Sequence, residues 1–152
     1  MRTMYDSVTA HDIPTSAHMV AGYVDGRYKW STADWARFPH AVHVRIAVSA
    51  STNAGDVLDC ETGDATPAQC PSWIKLRQKA GLARPTIYCN HATMAAVQKA
   101  CSGLKYALWI AEWNGHAHAI AGAAAVQYAD PARGSGGHFD LSAVYDDTWN
   151  PG

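Results

Sequence analysis

The chain has 152 residues, 48% hydrophobic and 16% charged, a balance that excludes a disordered chain and suits one compact core. Twelve basic residues against thirteen acidic ones leave a net charge of −1, and no basic run offers nucleic acid an electrostatic footprint. No apolar stretch is long enough to span a bilayer, and Met1-Arg2-Thr3-Met4-Tyr5-Asp6 lacks the apolar core of a secretory signal, so neither membrane insertion nor export is expected.

Short apolar runs recur along the chain. Strands are expected at Met4-Tyr5, Met19–Val24, Val42–Val48, Val57–Asp59, Thr86–Cys89, Ala107–Ala111, Ala124–Tyr128 and Phe139–Leu141. Helical patterns lie between several of them. Thr32–Arg37 follows Ser31, a good N-cap. Ser72–Ala80 is led in by Pro67 and stopped by Gly81. Met94–Ala100, led in by His91-Ala92-Thr93, stops near Gly103. Strand alternating with helix implies a parallel sheet covered by helices. Eight strands imply a small (β/α)8-type, TIM-like barrel. Such barrels typically use about 250 residues, so several helices here must be reduced to loops; Gly134-Ser135-Gly136-Gly137 is one such loop. No G-x-G-x-x-G follows the first strand, which removes support for a dinucleotide fold. No linker or internal repeat interrupts the pattern, and a single domain over 1–152 is expected.

The chemistry is expected where carboxylates meet strand ends. Asp59-Cys60-Glu61 closes the run Val57-Leu58; in a strand, Asp59 and Glu61 would share a face with Cα atoms roughly 6.5 Å apart. Two acids side by side cannot both ionise freely, and a raised pKa on one makes it a proton donor near neutral pH. Glycosidic cleavage needs that equipment. Asp6 ends the first strand, Glu112 the sixth, and Asp140 sits in the eighth, so a barrel would gather these groups at one mouth.

Cys60, Cys70, Cys89 and Cys101 form no C-x-x-C pair. They read as small core residues, with a Cys60–Cys70 or Cys89–Cys101 bridge left open. His116-Ala117-His118 and the loop histidines His11, His91 and His138 lack a metal-ligand spacing, so neither metal nor cofactor is expected. His91 could touch substrate or cap the helix that follows it. The aromatics Tyr23, Tyr88, Trp109, Trp113 and Tyr128 lie in or just after strands, where they could stack on sugar rings or fill the core. Trp35 and Trp73 sit on helical patterns and should pack helix against sheet.

Taken in order, these segments resemble the glycoside hydrolase family 25 muramidases, and more closely the family-25-like domains of actinobacteria and their phages. Asp59-Cys60-Glu61 is similar to the family's Asp-x-Glu at the end of the fourth strand, and Pro85-Thr86-Ile87-Tyr88 to its fifth strand. Leu108-Trp109-Ile110-Ala111-Glu112-Trp113 resembles the sixth, Val126-Gln127-Tyr128 the Trp-Gln-Tyr of the seventh, and Phe139-Asp140-Leu141-Ser142 the final Val-Asp-Leu-Asn. Tyr5-Asp6 stands at the N-terminal aspartate. The chain departs from the family at Ser7-Val8-Thr9, in the second-strand segment Val20–Gly26 and at Ser142. A partial likeness of Asp56–Glu61 to the acidic run of family 18 chitinases lacks one residue of spacing.

The resemblance implies a lysozyme-type hydrolase acting on peptidoglycan or a related N-acetylated polysaccharide. Glu61 would be the general acid, assisted by Asp59, with Asp6 and Asp140 positioning water or the pair. Tyr88, Tyr128, Trp109, Glu112, Gln127 and Tyr23 would bind substrate, Tyr88 and Tyr128 foremost. A monomer is expected, as an endolysin held in the host cytoplasm before lysis or carried on a virion. The alternative is a non-catalytic barrel of the same shape, a virion or cell-envelope component that binds glycan or only assembles.

Overall fold

Side chains alternate across each strand, and this sorts the apolar residues into an interior and an outer shell. In β1 (Arg2–Asp6), Met4 and Asp6 are buried, whereas Tyr5 packs outward on Phe139 with ring centroids 5.1 Å apart. A computed structural model describes residues 1–151, so only the last residue of the expected span 1–152 lies outside it. The remaining strands are β2 (Met19–Tyr23), β3 (Val42–Ala47), β4 (Val57–Asp59), β5 (Thr86–Asn90), β6 (Ala107–Ala111), β7 (Ala125–Ala129) and β8 (Asp140–Val144). They close into one barrel in sequence order.

The expected parallel sheet is correct for β1 to β7 only. Strand β8 runs antiparallel to both β7 and β1, so the barrel is mixed. Residues 130–139, which hold no helix, turn the chain back alongside β7. Reversal has a functional effect. It places Asp140, the first residue of β8, directly opposite Asp6, the last residue of β1. Both therefore lie at the mouth formed by the C-terminal ends of the other strands.

Inside the barrel, Met4, Met19, Val44, Ile46, Tyr88, Trp109 and Val144 form one cluster, closed from below by the fully buried Trp149. Tyr88 meets Trp109 edge-on, with centroids 4.8 Å apart. Helices α2 (Cys70–Lys79) and α3 (His91–Ala100) cover one flank, packing Trp73, Ile74 and Val97 onto Leu58, Ile87 and Ile110. All four cysteines are free and buried in this layer, so neither bridge left open by the sequence is formed. Asn90 caps α3, its Oδ1 accepting from the Thr93 backbone N–H at 2.9 Å, a role the sequence had offered to His91. Helix α1 (Thr32–Ala36) is a single capped turn begun by Ser31. The flank beside it is covered by Trp30 and Phe38, packed on Val20 and Ile13, and Trp35 packs against this group as expected. Gly22 is required there: a Cβ on β2 would overlap the Trp30 ring.

Candidate active site

Three strand ends and one tight loop bring the acids to the mouth. Strand β1 delivers Asp6, β4 delivers Asp59, and β8 delivers Asp140. After Asp59 the chain folds back on itself. The Cys60 N–H donates to the Tyr88 carbonyl at 2.8 Å, the Asp64 N–H to the Glu61 carbonyl at 3.0 Å, and the Ala65 N–H to the Asp59 carbonyl at 3.1 Å. Gly63, at φ +93°, permits the reversal. This loop holds half-buried Glu61 and exposed Asp64 over buried Asp59, with one carboxylate oxygen of each within 4.8 Å of the others. Asp6, Asp59, Glu61 and Asp140 all line one cavity of about 170 Å³. The sequence-derived acids are thus brought together.

A fixed hydrogen-bond chain forms the cavity wall. Tyr88 Oη and Trp113 Nε1 donate to Gln127 Oε1 at 2.8 and 3.0 Å, and Gln127 Nε2 donates to both oxygens of Asp6 at 2.9 and 3.0 Å. With both ends occupied, the amide can point only one way. Trp109 forms the floor, its Nε1 donating to Ser142 Oγ at 2.9 Å. Tyr23 lines the rim.

Burial and crowding dominate the electrostatics. Asp59 is raised to about 10, first by desolvation and then by the neighbouring charge and hydrogen bond of Glu61, so its carboxyl keeps its proton at neutral pH. Its Oδ1 is buried with no hydrogen-bond partner. Asp6 is raised by burial and by Asp140, against the stabilising bond from Gln127. Asp140 rises to about 6 through desolvation, Asp130 and Glu61. Burial lifts Tyr23 and Tyr88 as well, keeping both phenols neutral.

Two expected substrate contacts fall elsewhere. Tyr128 is adjacent to inward-facing Gln127 and so takes the outer face of β7, near Tyr5 and Tyr145. Glu112 follows inward-facing Ala111 and turns away from the cavity. There it accepts from His91 Nδ1 at 2.6 Å and His118 Nε2 at 2.7 Å, which ties α3 to the loop after β6. Tyr88, Trp109, Gln127 and Tyr23 do line the cavity. Two acids were not anticipated. Asp64 stands three residues after Glu61, one turn of the same loop. Asp25 accepts from the backbone of Val48 at 2.7 Å and from Thr52 Oγ1 at 2.6 Å beside the rim. Asp59, Glu61 and Asp64 could offer a hard divalent cation one oxygen each.

The barrel is similar in fold to two solved structures. It matches a glycosyl hydrolase 25 of Streptococcus pneumoniae, described as a novel virulence factor participating in host cell invasion, with a TM-score of 0.67 at 10% identity, covering 94% of this chain and 86% of the other. It also matches the bacterial lysozyme from Streptomyces coelicolor with a TM-score of 0.62 at 16% identity, covering 95% and 92%. At these identities the likeness defines the fold, and the fold is that of the family 25 lysozyme barrels. No protein-family model matches the chain, and no curated relative does.

Proposed function

We propose that the protein is a glycoside hydrolase that cleaves peptidoglycan between N-acetylmuramic acid and N-acetylglucosamine, or a closely related N-acetylated polysaccharide. The observation that carries this reading is buried Asp59 held against Glu61, one carboxylate oxygen of each within 4.8 Å, in the aromatic-walled cavity at the mouth of a lysozyme-type barrel. Asp59 and Glu61 act as a pair holding one proton. Glu61, the member exposed to the cleft, delivers that proton to the glycosidic oxygen. Asp59 is left as a carboxylate, which stabilises the positive charge developing at the sugar C1 or orients the substrate's N-acetyl group for attack. Asp6, anchored by Gln127, and Asp140 keep the local potential negative, which favours the oxocarbenium-like transition state.

The spacing makes a stereochemical statement too. Inverting enzymes separate their carboxyl groups by roughly 6.5–9.5 Å to hold a water between them. The 4.8 Å limit on the Asp59–Glu61 oxygens leaves no such gap, so the reading entails retention at C1. The test is clearance of a peptidoglycan suspension by wild type and Glu61→Gln. Activity should fall on the order of 10²–10⁴-fold while the melting temperature stays within a degree or two. A fully active Glu61→Gln protein removes Glu61 from the acid role, and an inverted product detected by proton NMR removes the paired mechanism.

A further inference from the structure

The cavity holding the carboxylates is the centre of a longer groove. On one side it continues, through shared Tyr23, Asp59 and Glu61, into a second cavity of about 210 Å³ that adds Val8, Arg27 and Asp64. On the other side it continues, through shared Asp6, Tyr23 and Asp140, into a third that adds His138. Around all three the charged groups are overwhelmingly acidic. Arg27 is the one permanently cationic side chain lining any of them among the described residues.

Its setting is built rather than incidental. Residues 24–30 leave β2 and return to it: Val24 N–H donates to the Ile46 carbonyl at 2.9 Å, and Trp30 N–H donates back to the Tyr23 carbonyl at 2.9 Å. Asp25 pins the turn to the backbone of Val48 and to Thr52. Gly26, at φ +72°, turns the chain at the tip. Arg27 is left exposed there, its guanidinium 5.6 Å from the centroid of exposed Tyr28. Arg84 and Arg133 are engaged in ion pairs with Asp146 and Asp130; Arg27 forms none among the described residues. An unpaired cation at the rim of an acidic groove fits a substrate that brings its own anion.

We propose that Arg27 is a specificity-determining residue that binds a carboxylate carried on the substrate's lactyl substituent, and so selects anionic, muramic-acid-containing glycans over neutral chitin-type chains. The proposal rests on the hydrolase reading above. A guanidinium suits the role because its planar fork takes a carboxylate with two parallel bonds. Exposed Val8, on the same cavity wall, gives the methyl of a lactyl group an apolar surface beside that fork. Without Arg27 this part of the groove would present an incoming carboxylate with the acids Asp25, Glu61 and Asp64 and no cation, a like-charge encounter. The anion has two sources, the free lactyl acid or the terminal acid of an attached peptide, and the experiment separates them.

Binding is measured by calorimetry in a Glu61→Gln background, so that no ligand is consumed. The ligands are the disaccharide of N-acetylglucosamine and N-acetylmuramic acid, the same disaccharide carrying L-alanyl-D-glutamate, and neutral chitobiose. The anionic disaccharides should bind about tenfold more tightly than chitobiose, a preference of the size one charge-assisted contact supplies. Arg27→Ala should abolish the preference without weakening chitobiose binding, Arg27→Lys should keep part of it, and added salt should shrink it. A preference confined to the free acid identifies the lactyl carboxylate; one confined to the peptide form identifies the peptide acid. Equal binding of all three ligands, or a preference that survives Arg27→Ala, overturns the proposal while leaving the hydrolase reading standing. Absence of any saccharide binding together with an inert wild type in the clearance assay overturns both.

Discussion

The two ends of this barrel treat the same side chain in opposite ways. At the mouth, Asp6, Asp59 and Asp140 are raised above the ordinary aspartate range by burial and by one another. At the floor, Asp146 is lowered to about 2, because Thr148 Oγ1 donates to it at 2.6 Å and Arg84 at 2.5 Å, with the Thr148 N–H at 2.9 Å. One end stores protons and faces an open cavity. The other spends its carboxylate on tying the chain's last turns beneath Trp149, whose Nε1 donates to buried Thr86 Oγ1 at 2.9 Å. The floor ties the chain together and the mouth carries the proposed chemistry, the division that barrel enzymes show.

The comparison can be tested most severely at the floor. Trp149→Ala removes a fully buried ring from the barrel's base and the N–H that donates to Thr86 Oγ1. It should cost about 3–5 kcal/mol, read as a shift in the denaturant midpoint. A loss under 1 kcal/mol means the floor does not close the core. Next in size is the mouth. A carboxyl whose folded pKa is raised keeps its proton where the unfolded chain has released it, so stability falls as pH climbs from about 4 through the folded values. Asp59→Asn should therefore stabilise the fold on the order of 1–3 kcal/mol at pH 8 and hardly at all at pH 4, while disabling the proton pair. A melting-temperature gain that is equal at both pH values contradicts the electrostatic origin. Smallest is the ion pair at the floor. Asp146 has a lowered pKa, so its contribution is present above the unfolded value of about 3.9 and is lost as pH falls through about 2. Arg84→Met should weaken that acid-side dependence and change stability at pH 7 by less than about 1 kcal/mol, since the pair is partly open to solvent.

Much of the site was legible because strand ends are legible. Asp6, Asp59 and Asp140 close or open runs of apolar residues, and any barrel with those strands would carry them to its rim. The two misplaced contacts, Tyr128 and Glu112, were legible as well, had the alternation been followed one residue further. Each is the sequence neighbour of an inward-facing residue, Gln127 or Ala111, and so faces outward. Asp64 was harder. Its distance from Asp59 depends on the turn made at Gly63, and a single glycine does not state which residues it will stack. The direction of β8 was not legible: residues 48–56, also without a helix, join the parallel strands β3 and β4, so the helix-free segment before β8 does not state which way it returns.

By itself, the order of residues determined the number of strands, their inner and outer faces and the chemical type of the groups at their ends, because these depend on local periodicity and on backbone sterics. Tertiary structure alone decided the protonation of Asp59, the fixed orientation of Gln127 and the free guanidinium of Arg27. Those properties arise from groups far apart in the chain: Gln127 lies 121 residues from the aspartate it holds. Desolvation and charge coupling act through space, and only closure of the barrel sets those distances.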